Sequence, residues 1–99
     1  MNIEKNQVHS FKFTSGEEVI ARVVDIDNNW ISVSEPVAVA PGPQGMGLIP
    51  ALFTVDHDKT ISINIHNCVF VAQTDESVRA KYIQATTGLQ VPDKKIVMG

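Results

Sequence analysis

The chain contains a single cysteine, so no internal disulfide framework can form. It has no basic arm or stripe. Eight Lys and Arg stand against eleven Asp and Glu, and a net charge of −3 excludes strong sequence-independent attraction to phosphate backbones. No N-terminal apolar run resembles a signal peptide or a membrane span, which places the expected site of action in the cytoplasm and away from membranes. The glycines of Pro41-Gly42-Pro43-Gln44-Gly45-Met46-Gly47 are not followed by a lysine, so they lack the pattern that cradles phosphate. Asp56-His57-Asp58 are consecutive on a turn and cannot converge on one ion, so no metal is expected. His66 and Cys68 share a strand face, but nothing upstream would orient the histidine as a base for a thiolate. No nucleophile, base and orienting group can be assembled, so no catalytic residue and no cofactor is expected.

What the chain does have is a β-forming composition. Ninety-nine residues with 43% hydrophobic content suffice for one small domain. The apolar residues are mostly Val, Ile and Ala, and the β-branched side chains suit a half-buried pleated surface. Val8, Phe11 and Phe13 predict a first strand, and Thr14-Ser15-Gly16-Glu17 a turn. Val19, Ala21 and Val23 alternate with Glu18, Ile20 and Arg22, whereas Val24 and Ile26 continue on the opposite parity, which predicts a bulge or sharp bend. Asp27-Asn28-Asn29 reads as a tight turn. Trp30 to Val39 reads as the next strand, with Ile31, Val33, Val37 and Val39 on one parity and a break or edge position at Pro36.

Pro41 to Gly47 is expected to be an irregular loop, since its glycines and prolines oppose both ladder and helix. Leu48 to Val55 predicts a short strand interrupted by Pro50, Asp56 to Lys59 a turn, and Thr60 to Ile65 a strand with Ile61, Ile63 and Ile65 inward. His66-Asn67 breaks the alternation before the apolar run Cys68 to Ala72. Thr74, as a capping residue followed by Asp75 and Glu76, predicts a helix over 75–87 that ends at Gly88. Val78, Tyr82, Ala85 and Leu89 form its apolar stripe. In the tail, 89–99, the stretch from Val91 to Gly99 offers little to bury, so it is expected to be frayed or borrowed by a neighbouring subunit.

The stretch from Ser15 to Asp27, with its glycine turn, alternating apolar residues, small Ala21 in mid-strand and closing aspartate, resembles the first motif of the Sm/LSm (Hfq-related) RNA-binding family. Ile63-Asn64-Ile65-His66-Asn67-Cys68-Val69 is similar to the second motif, with His66-Asn67 where the family has Arg-Gly. The resemblance spans roughly residues 11–73 and implies a mainly β fold, a small, strongly bent, five-stranded antiparallel barrel over about 7–73, here with one C-terminal helix. In the family the helix precedes the first strand. The helix after the barrel is similar to that of small Sm-like proteins of tailed bacteriophages, marine ones especially, and implies a bacterial or phage-infected host cytoplasm.

The resemblance also implies a homo-oligomeric ring of roughly five to seven subunits, joined by pairing of edge strands. Leu48 to Val55 and Cys68 to Ala72 are the candidate edges. It places candidate contacts with single-stranded RNA at Asp27, Asn28, Asn29, Trp30, His66 and Asn67, because unpaired bases are held by stacking and by hydrogen bonds to their edges. Between Asp27 and Ile31 the chain has one residue fewer than the family pattern, so the family's asparagine falls on Trp30. Two functions fit: a ring that binds single-stranded RNA, or a ring that joins protein partners and has lost the nucleotide pocket. The Asp-Asn-Asn-Trp segment favours the first, and net acidity with the missing Arg-Gly favours the second.

Overall fold

The computed structural model describes residues 3–56 and 58–89, so His57 and the expectation for the 89–99 tail beyond Leu89 lie outside the described residues. Among these residues β1 (Val8–Phe13), β2 (Glu18–Ile26), β3 (Trp30–Gly42), β4 (Gly45–Pro50), β5 (Thr60–Asn64) and β6 (Cys68–Gln73) precede one α-helix, α1 (Glu76–Leu89). All pairings are antiparallel. The strands run in the order β4-β3-β2-β1-β6, with β5 also paired to β3.

The expectation of a closed five-stranded barrel is corrected by this topology. Among the described residues there are six strands, and their ladder does not close. A one-turn 3-10 helix, Ile65–Asn67, joins β5 to β6, so these strands follow one another instead of pairing side by side. The sixth strand arises where an irregular loop was expected. Gly42 pairs with Gly45 across the two-residue turn Pro43-Gln44, and Gly45, directly after the turn, adopts a positive φ of +102° that glycine takes without strain. The closing pair of such a turn is hydrogen-bonded, and pair types alternate along the ladder. Pro41↔Met46 and Val37↔Pro50 are therefore non-hydrogen-bonded pairs, where a proline's missing N–H costs nothing.

β3 organises the sheet because it is long enough to hold two partners in succession. Trp30 to Ser34 pairs with β5, and Val37 to Gly42 with β4, while β2 lies along its other edge. The break falls at Glu35-Pro36. Ile20 pairs with Val37 and Arg22 with Ser34, leaving two β3 residues opposite Ala21 alone, and Glu35 adopts φ +50°. This bulge is the break anticipated at Pro36. A second register shift, between Val23 and Asp25, is the predicted bend of β2, and it leaves Val24 and Ile26 facing solvent.

The sheet buries residues on both faces. Phe11, Ala21, Val23, Ile31 and Val33 form one cluster, with Ile61, Ile63, Ile65, Cys68 and Val71 packed against it. Val8, Ile20, Val37 and Tyr82 form the other, joined by Val78 and Ile83 of α1. Ile20, on the parity of Glu18 and Arg22, is buried because α1 covers that face. His9 is fully buried, its ring centroid 6.4 Å from that of Phe11. The Glu4 N–H donates to its Nε2 at 3.3 Å, which puts the ring hydrogen on Nδ1, 3.2 Å from the Gln7 carbonyl.

Asp75, not Thr74, caps α1. Its Oδ2 accepts from the Ser77 N–H at 3.1 Å and the Ser77 hydroxyl at 2.6 Å, while the Thr74 hydroxyl bonds to that of Ser10 at 2.9 Å. The helix continues through Gly88 to Leu89. Its buried stripe is Val78, Tyr82, Ile83 and Thr86, with Ala85 exposed, a shift around the helix that aims the tyrosine at the β3 bulge. The Thr86 hydroxyl donates to the Tyr82 carbonyl at 2.9 Å and so is satisfied within the helix.

The Tyr82 hydroxyl donates toward the carbonyls of Ser34 (3.2 Å) and Glu35 (2.8 Å). Burial, with the nearby Glu35 charge, pushes its pKa far above the usual phenol range, so it remains a donor at any ordinary pH. Tyr82→Phe should lower stability by about 1–2 kcal/mol, because the bulge carbonyls lose their donor. Tyr82→Ala should cost roughly 2–4 kcal/mol from the lost packing. Urea unfolding measures both, and equal midpoints for Phe and wild type would mean that the hydroxyl does not hold the bulge.

The Ser77 hydrogen bonds hold the Asp75 carboxyl below the usual aspartate range. A depressed folded-state pKa contributes stability above the unfolded value and loses it as pH falls through the folded one. Helical circular dichroism should therefore weaken on acidification by less in Asp75→Asn than in wild type. Identical acid profiles would show that the cap does not titrate.

Candidate nucleic-acid interface

The Asp27-Asn28-Asn29 turn and the 3-10 turn are 37 residues apart in sequence, yet β3 and β5 bring them to the same end of the sheet. Trp30 opens β3 and pairs with Asn64, the last residue of β5. The Asp27 N–H donates to the Trp30 carbonyl at 2.8 Å, and the Asp27 carboxylate accepts from the Asn28 N–H at 2.8 Å. Asp27 is thus engaged in shaping its own turn.

Asn29 ties the two turns together. Its carbonyl accepts from the Ile65 N–H at 2.9 Å, and its Oδ1 accepts from His66 Nε2 at 3.0 Å. With Nε2 donating, the imidazole is fixed in orientation by Asn29. The backbone beneath it is fixed as well, since the His66 N–H donates to Asn64 Oδ1 at 2.9 Å as the cap of the 3-10 turn. Trp30, 47% exposed, presents an indole next to this junction.

The structure therefore joins Asn29 to His66, with the exposed Trp30 next to Asn29 in the chain. Asp27 and Asn28 are exposed in the turn before them. Asn67 is exposed as well and contacts a different element: its carbonyl accepts from the Thr14 N–H of the β1–β2 turn at 2.9 Å. Sequence reasoning did not single out Asn64, which braces both His66 and the Trp30 register. Its signal was present, because an asparagine two residues before a break in strand alternation is a capping pattern.

Neither turn carries a Lys or Arg. The nearest ion pair in sequence is Lys5–Asp25 at 3.1 Å, in which Lys5 and the Ile26 backbone draw the Asp25 pKa down. An exposed pair of this kind adds little to stability. The group can offer stacking planes, amide donors and acceptors, and an imidazole, but no permanent positive charge. Cys68, just beyond the 3-10 turn, is partly buried against the core, and desolvation pushes its thiol pKa up, which keeps it protonated and unreactive. Among the described residues there is no cluster of three or more potential metal-ligating side chains, and no helix is long and apolar enough to cross a membrane.

A double-mutant cycle with Asn29→Ala and His66→Ala should give a coupling energy of about 0.5–1 kcal/mol, as expected for a partly exposed hydrogen bond. Strict additivity in urea unfolding would mean that the two turns are independent. The sequence matches no model of a protein family, and comparison with curated proteins finds no match either.

Proposed function

We propose that this chain is an Sm-like subunit of a homo-oligomeric ring that binds short single-stranded RNA at its Asn29–His66 junction. The observation that carries this reading is the junction itself: two distant turns held in one orientation, with an exposed indole and imidazole for stacking and amides for reading base edges. Ring formation is supported by the ends of the strand order. β4 and β6 each have one unpaired edge, and they carry the exposed side chains Ile49, Val69 and Phe70. β6 covers the Cys68 to Ala72 run named from sequence, whereas β4 shares only Leu48 to Pro50 with the expected Leu48 to Val55 edge, because residues 51–55 leave the ladder after Pro50.

The second reading is a ring that joins protein partners. It is favoured by Phe53 and Phe70, 77% and 68% exposed, on a chain of net charge −3. Binding of fluorescent uridine- and adenine-rich hexanucleotides at two salt concentrations separates the readings. RNA binding should show a shallow salt dependence, because few phosphate contacts are available. Trp30→Ala or His66→Ala should weaken it about tenfold or more without altering the assembly. Absence of any binding at low salt removes the RNA reading and leaves the adaptor. Light scattering tests the ring: Val69→Glu should reduce the assembled mass, and a wild-type mass equal to the 10.8 kDa chain overturns the ring for both readings.

A further inference from the structure

Beside the Asn29–His66 junction lies a hollow of about 410 Å³ whose walls come from the β1–β2 turn and the 3-10 turn. Phe13 and Ile63 give it an apolar side, Asn64 at the end of β5 and Asn67 of the 3-10 turn line one wall, and Thr14, Ser15 and Glu17 the other. Both walls are held in place by backbone hydrogen bonds. The Phe13 N–H donates to the Glu17 carbonyl and the Gly16 N–H to the Phe13 carbonyl, each at 2.9 Å, with Gly16 at φ +96°. The Thr14 N–H donates to the Asn67 carbonyl at 2.9 Å and ties one wall to the other. The Phe13 ring is itself stacked on the buried Phe11.

The chemistry of the lining restricts what fits. It contains an aromatic face, two carboxamides, two hydroxyls and one carboxylate, and no Lys or Arg. A phosphate would meet the Glu17 charge with no cation to offset it, whereas a neutral planar ring can pack on Phe13 and Ile63. Glu17 then selects among the bases. Guanine presents two adjacent donors, N1–H and the 2-amino group, which match the two oxygens of a carboxylate. Uracil flanks its only donor with two carbonyl oxygens, which the carboxylate repels, and adenine and cytosine place a ring acceptor beside their amino group.

We infer that this hollow is a guanine-binding site, in which Phe13 packs against the base and Glu17 pairs with its N1–H and 2-amino edge. The inference rests on the RNA reading, and it adds base preference to it through residues outside the junction. The ligand is the guanine ring, whether within a strand or as a free nucleoside.

The test uses the full chain with labelled UUGUUU, UUAUUU, UUCUUU and UUUUUU in fluorescence anisotropy, alongside guanosine monitored by NMR shifts of Phe13 and Ile63. The G-containing hexamer should bind at least tenfold more tightly than the others, and Glu17→Gln, an exposed substitution with unchanged melting temperature, should abolish that preference. Guanosine alone shifting Phe13 and Ile63 with the affinity of the hexamer would identify the free nucleoside as a sufficient ligand and would support the site. Equal binding of all four hexamers, or a preference that persists in Glu17→Gln, overturns the guanine site and leaves the RNA reading standing. If no hexamer binds and guanosine produces no shifts, both fall.

Discussion

The hydrogen bonds from the Tyr82 hydroxyl to the carbonyls of Ser34 and Glu35 sit where the rest of the sheet is decided. β3 must change partners at this point, from β5 to β4, and it does so through a two-residue bulge with Glu35 in the left-handed region. A non-glycine residue in that conformation stores strain and persists only where its surroundings over-determine it. Tyr82, fully buried among Val8, Ile20 and Val37, supplies that constraint from outside the sheet. The helix thus does more than cover an apolar face. It fixes the angle between the two halves of β3, and with it the positions of β4 and β5.

The candidate interface depends on the same strand. Trp30 begins β3 and Asn64 ends β5, so the register between them sets where the first turn meets the 3-10 turn. Because side chains alternate faces along a strand, a one-residue slip would turn Ile31, Val33, Ile61 and Ile63 out of the core and separate Asn29 from His66. The buried cluster beneath therefore guards the register of the exposed group above it. Asn29 and Asn64, each bonded to His66, complete the arrangement with neutral partners only.

That neutrality frames the proposed activity. A surface with no Lys or Arg on either turn and a net charge of −3 has little to offer a phosphate backbone. What it offers is planar and directional: an indole, an imidazole, carboxamides and, in the neighbouring hollow, Phe13 with Glu17. Such groups favour recognition of bases over recognition of backbone, and a symmetric assembly would repeat weak individual contacts around a ring.

The sequence by itself determined the local elements. β-branched alternation marked the strands, the parity switch after Val23 marked the bend of β2, Pro36 marked the break in β3, and Gly16 marked the first turn, because each follows from backbone and side-chain preferences over a few residues. It also isolated the Asp27–Trp30 and His66-Asn67 segments as polar interruptions between apolar runs. Where it failed, the deciding forces were nonlocal. Pro41 to Gly47 read as an irregular loop, yet it forms a hairpin because Pro41 occupies a non-hydrogen-bonded position and Pro43 falls in the turn, a fact of register. Ile20 and the stripe containing Thr86 were set by which face α1 covers. The junction of Asn29 with His66, the bracing by Asn64 and the hollow behind Phe13 and Glu17 exist only once β3 pairs with β5 and the β1–β2 turn bonds to Asn67. Those contacts join residues far apart along the chain, and their closure is driven by burial of a shared core, which no local pattern encodes.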